Sequence, residues 1–493
     1  MLESIAFLLR SANTIANMDL LRDGVAPSPL DRELINEYSR LLTIELEHVD
    51  ACISPTGSAR EQIVAQLAIG RSLVAPIRRL PGEILVEIFI QYYKAEKSSP
   101  TKMISYAVAP VCYTWWMVAR STTALWTNIS LGPSAAGLRH HLDACVSLSG
   151  SRELDIYAFD GFRHAEVIPQ LARLAPAWVR WRTLWLPLHH IESLDIPFQK
   201  LTCLEKVACY CPSYSRDRKI LHELSRAGRV RQLHLEHFGD LPGLLLPSMC
   251  FLTRLSLTSS YCSFRIIIPL LKQCSATLVH LYVSYAQDRT NSTSISRPTP
   301  VLLPKLVSIN LGQLAHEILP FLKAPKLKFI TLQRGGHGFG NAFESLDAYL
   351  SLPLPEFPIQ CPQRLSFLEY TVPRAPAGTP NAITDLLGSC LGRLNDLQEL
   401  CVMGCELDAV LANLPDKLVA RLRCISDRAP LLPNLTAVTL RTGTESTPLA
   451  PASRRVLHDI IRSRLTPRIV CGRAEAALKR IDADFDLGVD TAI

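Results

Sequence analysis

The 493-residue sequence lacks the local patterns that mark the commonest catalytic sites. It contains no Gly-x-Ser-x-Gly turn for a nucleophilic serine, no phosphate-binding Gly-rich loop ending in Gly-Lys-Ser/Thr, and no His-Glu-x-x-His pair for zinc. An enzymatic activity therefore has no residue to which it can be assigned. We expect no catalytic residue, no bound cofactor and no metal site.

Long apolar runs and local concentrations of positive charge are also missing. The longest uncharged stretch that suggests a membrane span, Met103 to Ala119, contains Pro110 and is shorter than the roughly 20 residues that a spanning helix needs. The 52 lysines and arginines are spread along the chain, although the net charge is +7. Nucleic-acid binders usually concentrate basic residues on one face, so we expect no nucleic acid as a partner. The short apolar stretch gives no reason to expect a membrane as a partner either.

The cysteines show no pattern of disulfide pairing. There are 15 of them, an odd number with irregular spacing, and many lie in apolar runs, as Cys112, Cys250 and Cys390 do. This pattern predicts buried free thiols in a reducing compartment. The N-terminal stretch lacks the basic start and cleavage site of a signal peptide, so we expect a cytoplasmic and/or nuclear protein.

The first sixth of the chain shows helical periodicity. Residues 1–27 carry one amphipathic turn or two at Ile5–Arg10, and 28–79 predict two helices, the second from about Ser58 to Ala75. A short break at Pro55 favours an antiparallel hairpin. The hairpin shields the following module in the simpler interpretation and forms a dimerisation surface in the alternative.

Residues 80–131 hold three short patterns in order. They read LPGEILVEIF at 80–89, VCYTWWMVA at 111–119 and LWTNISL at 125–131, the last alternating like a strand. Pro81 suits the first position of a helix, where its missing N–H has no partner. The following residues make one apolar stripe at helical spacing, namely Ile84, Leu85, Ile88 and Phe89.

Together the three patterns resemble the F-box family, in particular the F-box proteins expanded in mushroom-forming fungi. The family often has basic residues around the tryptophan, where this chain has Tyr113, Thr114 and Trp116. The resemblance implies helices that dock on a Skp-type adaptor and, through it, on a cullin. It implies a first apolar contact made by Leu80, Pro81, Ile84, Leu85, Ile88 and Phe89. It implies a second contact, or the core beneath it, made by Val111, Cys112, Trp115 and Trp126.

A longer repeat follows this region. An apolar residue, two others, an apolar residue, one other and an apolar residue recur ten times, from Trp181/Leu184/Leu186 to Leu435/Val438/Leu440, with an earlier partial copy at Leu154/Ile156. Most copies lie 21 to 28 residues apart, and three later spacings, on either side of the copies Leu365/Leu368/Tyr370 and Leu397/Leu400/Val402, are 38, 32 and 38 residues. Spacings in the twenties are typical of leucine-rich repeats, whose short strands must stack on their neighbours.

These patterns predict an α/β chain with helices first and an irregular leucine-rich-repeat solenoid after them. The predicted segments are 1–27, a helical hairpin at 28–79, an F-box at 80–131, a solenoid of parallel strands and outer helices at 132–452, and a capping helix and tail at 453–493. The outer helices are expected between the strands, for example at Lys219–Leu224, Ile266–Leu271, Glu317–Leu322 and Ile383–Leu391. Inserts rich in Gly and Pro, such as 335–340 and 372–380, explain the long spacings as loops.

Two clusters resemble ligand sites only superficially. Gly336-x-Gly338-x-Gly340 has Asn341 where a dinucleotide loop needs its third glycine. His189, His190, Cys203, Cys209 and Cys211 lack the pair spacing of zinc ligands. Neither cluster predicts a site.

Three hypotheses of function remain. The first is a substrate-recognition subunit of a Skp–cullin–F-box ubiquitin ligase whose repeats hold a protein target, with target-facing positions such as Thr331 and Glu399. The second is a leucine-rich-repeat interaction scaffold that is not engaged in a ligase. The third is an α/β enzyme, which a deep pocket lined by convergent polar groups would distinguish.

Overall fold

The structure is a computed structural model that divides into two compact units, Met1–Thr183 and Leu184–Ile493. The residues that it describes are 2–24, 26–51, 57–95, 111–132, 138–158, 164–187, 190, 198–210, 226–227, 229–237, 251–262, 264–287, 298–333, 340–352, 362–368, 389–403, 431–441, 451–465, 468–470 and 473–483.

The helices of the described residues are α1 Leu2–Ile15, α2 Met18–Asp23, α3 Pro29–Ala51, α4 Gly57–Val74, α5 Gly82–Ala95, α6 Tyr113–Ser121, α7 Leu138–Leu148, α8 His164–Leu174, α9 Phe264–Gln273, α10 Gly340–Leu350 and α11 Pro451–Ser463. Short 3-10 helices cover Pro76–Arg79, Thr123–Trp126, Ala175–Arg180, Phe198–Lys200 and Leu314–Phe321.

The strands are β1 Asn128–Leu131, β2 Leu154–Ala158, β3 Trp181–Pro187, β4 Lys206–Tyr210, β5 Gln232–Glu236, β6 Arg254–Tyr261, β7 His280–Gln287, β8 Val301–Leu302, β9 Ser308–Gln313, β10 Leu322–Lys323, β11 Phe329–Gln333, β12 Arg364–Leu368, β13 Glu399–Met403, β14 Ala437–Arg441, β15 Arg468–Val470, β16 Arg473–Glu475 and β17 Arg480–Ala483. In the described part of the chain, thirteen of them form one sheet in the order β1-β2-β3-β4-β5-β6-β7-β9-β11-β12-β13-β14-β17. The predicted α/β class with parallel strands in chain order is confirmed.

The first unit opens with a helical bundle. Ser28 and Asp31 cap α3 reciprocally, each accepting the backbone N–H of the other at 3.1 to 3.2 Å. The buried residues Ile5 and Ala12 of α1 pack into the same cluster as Leu42 and Ile63 of α3 and α4. The predicted hairpin helices are present, but residues 1–27 form two full helices where the sequence showed only a turn or two. Contacts of one side of α1 with α3 and α4 hold this helix in place.

The strands of the second unit pair in a single register. The buried positions Val207, Leu233, Leu255, Leu281 and Ile309 lie opposite one another across β4 to β9. The next strands continue the row with Ile330, Leu365, Leu400 and Val438. Residues on either side of these positions alternate to the opposite face of the sheet.

One predicted copy of the repeat was placed wrongly. Leu365, not Leu368, pairs with Ile330 on one side and Leu400 on the other, so that it lies 35 residues from each. Pro362 is buried at the position where the pattern has its first apolar residue. A proline can take that position because it precedes the strand and needs no ladder N–H there. Because the repeat pattern requires an aliphatic residue at this position, the predicted copy lies three residues too far along the chain.

The layer that covers the sheet is less regular than predicted. Helix α9 buries four apolar residues, Ile267, Ile268, Leu270 and Leu271. The helix predicted at Glu317–Leu322 is a 3-10 helix, Leu314–Phe321, and Leu322 begins β10. Pro320 removes a backbone donor there, which disfavours a continuing α-helix. The helices predicted at 219–224 and most of 383–391 lie outside the described residues.

The C-terminal segment adds a strand to the sheet as well as the predicted helix. The predicted helix is present as α11, but β17 also joins the sheet, parallel to β14. Its residues, Arg-Ile-Asp-Ala at 480–483, lack the spaced apolar triplet of the other strands. Their pairing to β14 identifies them, and the sequence pattern alone missed them.

No disulfide joins the cysteines of the described residues, and all of these cysteines except Cys203 are buried, as predicted; Cys250 lies outside the described residues. Burial raises the pKa of the Cys145, Cys274 and Cys390 thiols to about 12. A thiol that stays protonated is a poor nucleophile. These cysteines therefore act as small apolar core residues.

Gly312 allows two strands to approach closely. A Cβ atom at this position would lie 2.8 Å from Cβ of Ser284 on the paired strand β7. We expect Gly312→Ala to lower the free energy of unfolding by about 2 kcal/mol, because the overlap must be relieved by a backbone shift. Adding Ser284→Gly should restore part of that loss. Urea unfolding of both single variants and the double variant measures the coupling, and simple additivity would contradict the steric explanation.

Candidate protein-docking surfaces

The F-box-like segment begins with a tight turn that sets the start of α5. The Leu80 N–H donates to the carbonyl of Ile77, and the Pro81 carbonyl accepts the N–H of Leu85 at 3.1 Å. Helix α5 therefore begins at Gly82, with Pro81 as the residue that caps it. The prediction of Pro81 as the first helical residue was wrong by one position.

Helix α5 has a buried face and an exposed face, both apolar. Leu85 and Phe89 are 2% and 1% exposed, whereas Ile84, Ile88 and Tyr92 are 48%, 39% and 39% exposed. Each set recurs at four-residue spacing, which places its members on one side of the helix. The predicted single stripe is therefore two stripes with different environments.

Packing of α5 against α6 buries the first stripe. The rings of Phe89 and Trp115 have centroids 5.0 Å apart and are tilted by 59°. Gly82, at the start of α5, lies against Val118 near the end of α6. The two helices therefore run in opposite directions where they meet, and their contact holds the exposed stripe in a fixed position.

The second predicted group lies mostly beneath the surface. Cys112 is buried, and its carbonyl accepts the Trp116 N–H at the start of α6. Trp126 is 5% exposed and donates its indole N–H to the Ala119 carbonyl at 2.7 Å. These two side chains are core residues of the first unit, which is one of the two roles that the resemblance implied for them.

The ten predicted site residues thus separate by exposure. The exposed ones are Pro81, Ile84, Ile88 and Val111. The partly buried ones are Leu80 and Trp115. The buried ones are Leu85, Phe89, Cys112 and Trp126.

Three exposed apolar residues of this region were missed. Tyr92 extends the exposed stripe of α5, and Tyr113 and Met117 are exposed on α6. The signal was present in the sequence, because Tyr92 lies four residues after Ile88 and Met117 four after Tyr113. We call Ile84, Ile88 and Tyr92 the α5 row, and Tyr113 and Met117 of α6, with Val111 just before this helix, the α6 row.

The residues around Trp115 have local roles that differ from one another. The Tyr113 and Trp116 rings stack with centroids 5.7 Å apart, and the Arg120 guanidinium lies 4.6 Å from the Trp116 ring centroid. Thr114 instead donates its hydroxyl to the Gly24 carbonyl at 3.3 Å. Gly24 has φ +75°, and a Cβ there would overlap the Thr114 hydroxyl. Thr114 therefore fixes the end of α2 against α6.

The second candidate docking surface is polar. It lies on the sheet of the second unit, on the side opposite the buried row. His234 contacts the Ser256 hydroxyl with Nδ1 and the Glu236 carboxylate with Nε2, the latter at 2.7 Å. The Trp185 ring lies 6.0 Å from the His234 ring between centroids. The Tyr210 and His237 rings meet edge to face, 4.9 Å apart.

The Ser256–His234–Glu236 chain contains the residue types of a nucleophilic relay. Acyl transfer also needs backbone or side-chain donors aimed at the developing oxyanion. Strand β6 pairs with both β5 and β7, so the backbone N–H groups beside Ser256 are engaged in the sheet. Within the described residues, the hydrogen bonds of Ser256 and Glu236 therefore hold the His234 imidazole against Trp185. They do not present Ser256 as an activated nucleophile.

Other features give no ligand site. No group of three or more His, Cys, Asp or Glu residues is placed to hold a metal ion within the residues that the structure describes. Cys209 is a buried strand residue, while His189, Cys211 and the glycine loop at 335–339 lie outside the described residues. A search of the described helices finds none that combines the length and apolarity needed to cross a membrane.

Comparison with known proteins adds no relative. No protein-family model matches the chain, and no curated protein matches it.

Proposed function

We propose that this chain is the substrate-recognition subunit of a Skp–cullin–F-box ubiquitin ligase. Helices α5 and α6 dock on a Skp-type adaptor, which connects the chain to a cullin, and the exposed face of the sheet in the second unit binds a protein target. The ligase chemistry belongs to other subunits. The proposal starts from the order of the three F-box-like patterns, and one observation of the structure supports it most.

That observation is the exposed apolar row of α5. Ile84 and Ile88 remain open to solvent although the same helix buries Leu85 and Phe89 completely. Large apolar side chains that lie together on a surface are typical of protein-binding sites, because water contact with them is unfavourable. A partner that covers this row would gain the free energy of their burial.

The α6 row and its surroundings fit the composition of a binding site. Tyrosine, methionine and arginine are enriched in protein interfaces. Tyr113, Met117 and Arg120 supply these residue types on α6. Trp116 holds the Arg120 guanidinium by a cation–π contact, which reduces the conformational entropy that binding would remove.

One observation favours the alternative of an interaction scaffold outside a ligase. Thr114, which lies next to Trp115 on α6, is bonded to Gly24, so α2 already occupies part of this helix. If an adaptor needed that part of α6, α2 would compete with it. The experiment below separates the two functions.

The test is binding of a purified Skp-type adaptor to the full chain, measured by isothermal titration calorimetry. We expect the wild type to bind and Ile84→Glu/Ile88→Glu to weaken binding at least about a hundredfold, since two central apolar contacts are replaced by charges. Thermal unfolding should change little, because both side chains are already exposed. A pulldown from cell extract, probed for adaptor and cullin, gives the second readout.

Leu30→Glu/Leu34→Glu is the matched control. These leucines are also four residues apart and exposed on a helix of the first unit, α3, so the change in charge and surface is the same. The control should bind the adaptor as the wild type does. If the wild type binds neither adaptor nor cullin, the ligase proposal is wrong and the scaffold function takes its place. Unchanged binding by the α5 variant would refute the role of this row.

A further inference from the structure

The exposed face of the second unit carries a row of polar residues across neighbouring strands, and two of them, Lys206 and Arg254, are cations. Lys206, Gln232, Arg254 and His280 are paired in register at the starts of β4, β5, β6 and β7. Each precedes a buried residue of its strand, so all four lie on the exposed side of the sheet. We call these four residues the basic row. It contains no carboxylate.

The carboxylates elsewhere on this face are already engaged. Glu399 pairs with both Arg364 and Arg480 in the same register, and Glu236 bonds to His234. In contrast, no ion pair joins Lys206 or Arg254 to a carboxylate among the described residues. The charge of Arg254 is also felt by its neighbour: burial and then this guanidinium lower the pKa of His280. Lys206 and Arg254 are therefore two cations of this row that no carboxylate of the described residues pairs with.

Aromatic side chains lie on the same face, on β3 and toward the ends of β4 and β5. Trp185 is 37% exposed and approaches His234 above β4, where the small side chain of Ala208 leaves room for both rings. Tyr210 packs against His237 at the end of β4. Glu236 and Ser256 hold the His234 ring from both sides. We call Trp185, Tyr210, His234 and His237 the aromatic cluster.

The two groups are close enough for one short peptide to reach both. Lys206 and Tyr210 are four residues apart on one strand, which is about 13 Å. Lys206 and Arg254 are two strands apart, which is about 10 Å. An extended segment of about six residues spans such distances. Charge complementarity requires acidic side chains over the basic row, and the aromatic cluster suits an aromatic or apolar anchor.

We propose that this face binds an acidic protein segment that carries an aromatic or apolar residue, with Lys206 and Arg254 contacting its carboxylates and Trp185 its anchor. The proposal rests on the proposed function, because it states the chemistry of the target that the ligase subunit would recognise. It is specific to β3–β7 and leaves the remaining strands of the face outside the site.

The probe is a fluorescein-labelled random copolymer of glutamate and tyrosine, titrated with the full chain by fluorescence anisotropy. We expect saturable binding that weakens as ionic strength rises. Lys206→Glu/Arg254→Glu should raise the Kd at least about tenfold, and Trp185→Ala should raise it by a similar factor. Lys206→Ala/Arg254→Ala provides a second variant if charge reversal disturbs folding.

Lys305→Glu/Lys326→Glu is the matched control. Both lysines are exposed in turns before β9 and β11, so the net charge changes equally away from the basic row. This variant should bind the copolymer as the wild type does. Equal weakening by the control and by Lys206→Glu/Arg254→Glu would overturn the proposal, because it would show a general charge effect without a site.

Two further probes test the class of partner. A lysine–tyrosine copolymer should not bind, and a labelled single-stranded oligonucleotide should bind more weakly than the acidic copolymer. An oligonucleotide that binds more tightly and displaces the copolymer would overturn the protein-segment proposal in favour of nucleic acid. Each variant is also titrated with the adaptor. Loss of copolymer binding with normal adaptor binding concerns this face alone, whereas failure of the wild type to bind the adaptor concerns the ligase function.

Discussion

Phe89→Ala is expected to lower the free energy of unfolding of the first unit by about 4 kcal/mol, within the range measured for buried phenylalanines. The side chain is almost fully buried and packs on Trp115, so its removal leaves a cavity between α5 and α6. Five of the six tryptophans lie in Met1–Thr183. Tryptophan fluorescence during urea unfolding therefore follows this unit.

Ile88→Ala is the control for that measurement. Ile88 is the preceding residue on the same helix but lies on the exposed face, so its truncation should cost less than about 1 kcal/mol. The two variants thus separate folding from docking: Phe89→Ala weakens the helix pair, and Ile88→Ala removes part of the proposed contact. Equal losses of stability would show that the two faces of α5 are not distinct in solution.

Arg464→Ala is expected to destabilise the second unit by about 4 kcal/mol, through lost hydrogen bonds from a charged donor and a buried cavity. Arg464 is 2% exposed, directly after α11. Its guanidinium donates to the carbonyls of Leu431 and Leu432, just before β14, and Leu432 has φ +54°. These carbonyls would lose a buried donor that water cannot easily replace. Hydrogen exchange of β14 and β17 measures the loss.

Arg462→Ala serves as the matched control, since Arg462 is an exposed arginine near the end of the same helix. In the Arg462→Ala variant, the hydrogen-exchange rates of the β14 amides should stay within twofold of the wild type. Arg464→Lys should retain part of the protection, because one ammonium can reach one carbonyl but cannot match the planar guanidinium. If β14 exchanges equally in the two alanine variants, Arg464 does not connect α11 to the sheet.

The sequence was most informative where one periodicity dominates. The regular copies of the repeat identify most strands, because a buried position two residues from another must lie on the same side. The pattern failed at β12, where Pro362 replaces an aliphatic residue, and at β17, which has no such triplet. At Leu314–Phe321 the apolar spacing was helical, but Pro320 and the following strand prevent an α-helix. Backbone hydrogen bonding determines the structure at these three places, and the hydropathy pattern of a sequence does not report it.

The candidate surfaces were harder to predict than the elements that carry them. Spacing identified Ile84, Leu85, Ile88 and Phe89 as apolar helix residues, but only the contact with Trp115 shows which two are exposed. The basic row was invisible in the sequence. Lys206 and Arg254 are far apart along the chain, and strand register brings them two strands from each other. Surfaces that depend on register require the three-dimensional structure.

The rate at which the buried thiols are alkylated reports how often the structure around them opens. Because Cys145, Cys274 and Cys390 are inaccessible and held protonated, an alkylating reagent can modify them only when the surrounding structure opens. Cys145 lies in the first unit, and Cys274 and Cys390 lie in the second. Mass spectrometry of the alkylated peptides would therefore time the opening of each unit separately, in the unlabelled wild-type chain and without any engineered probe.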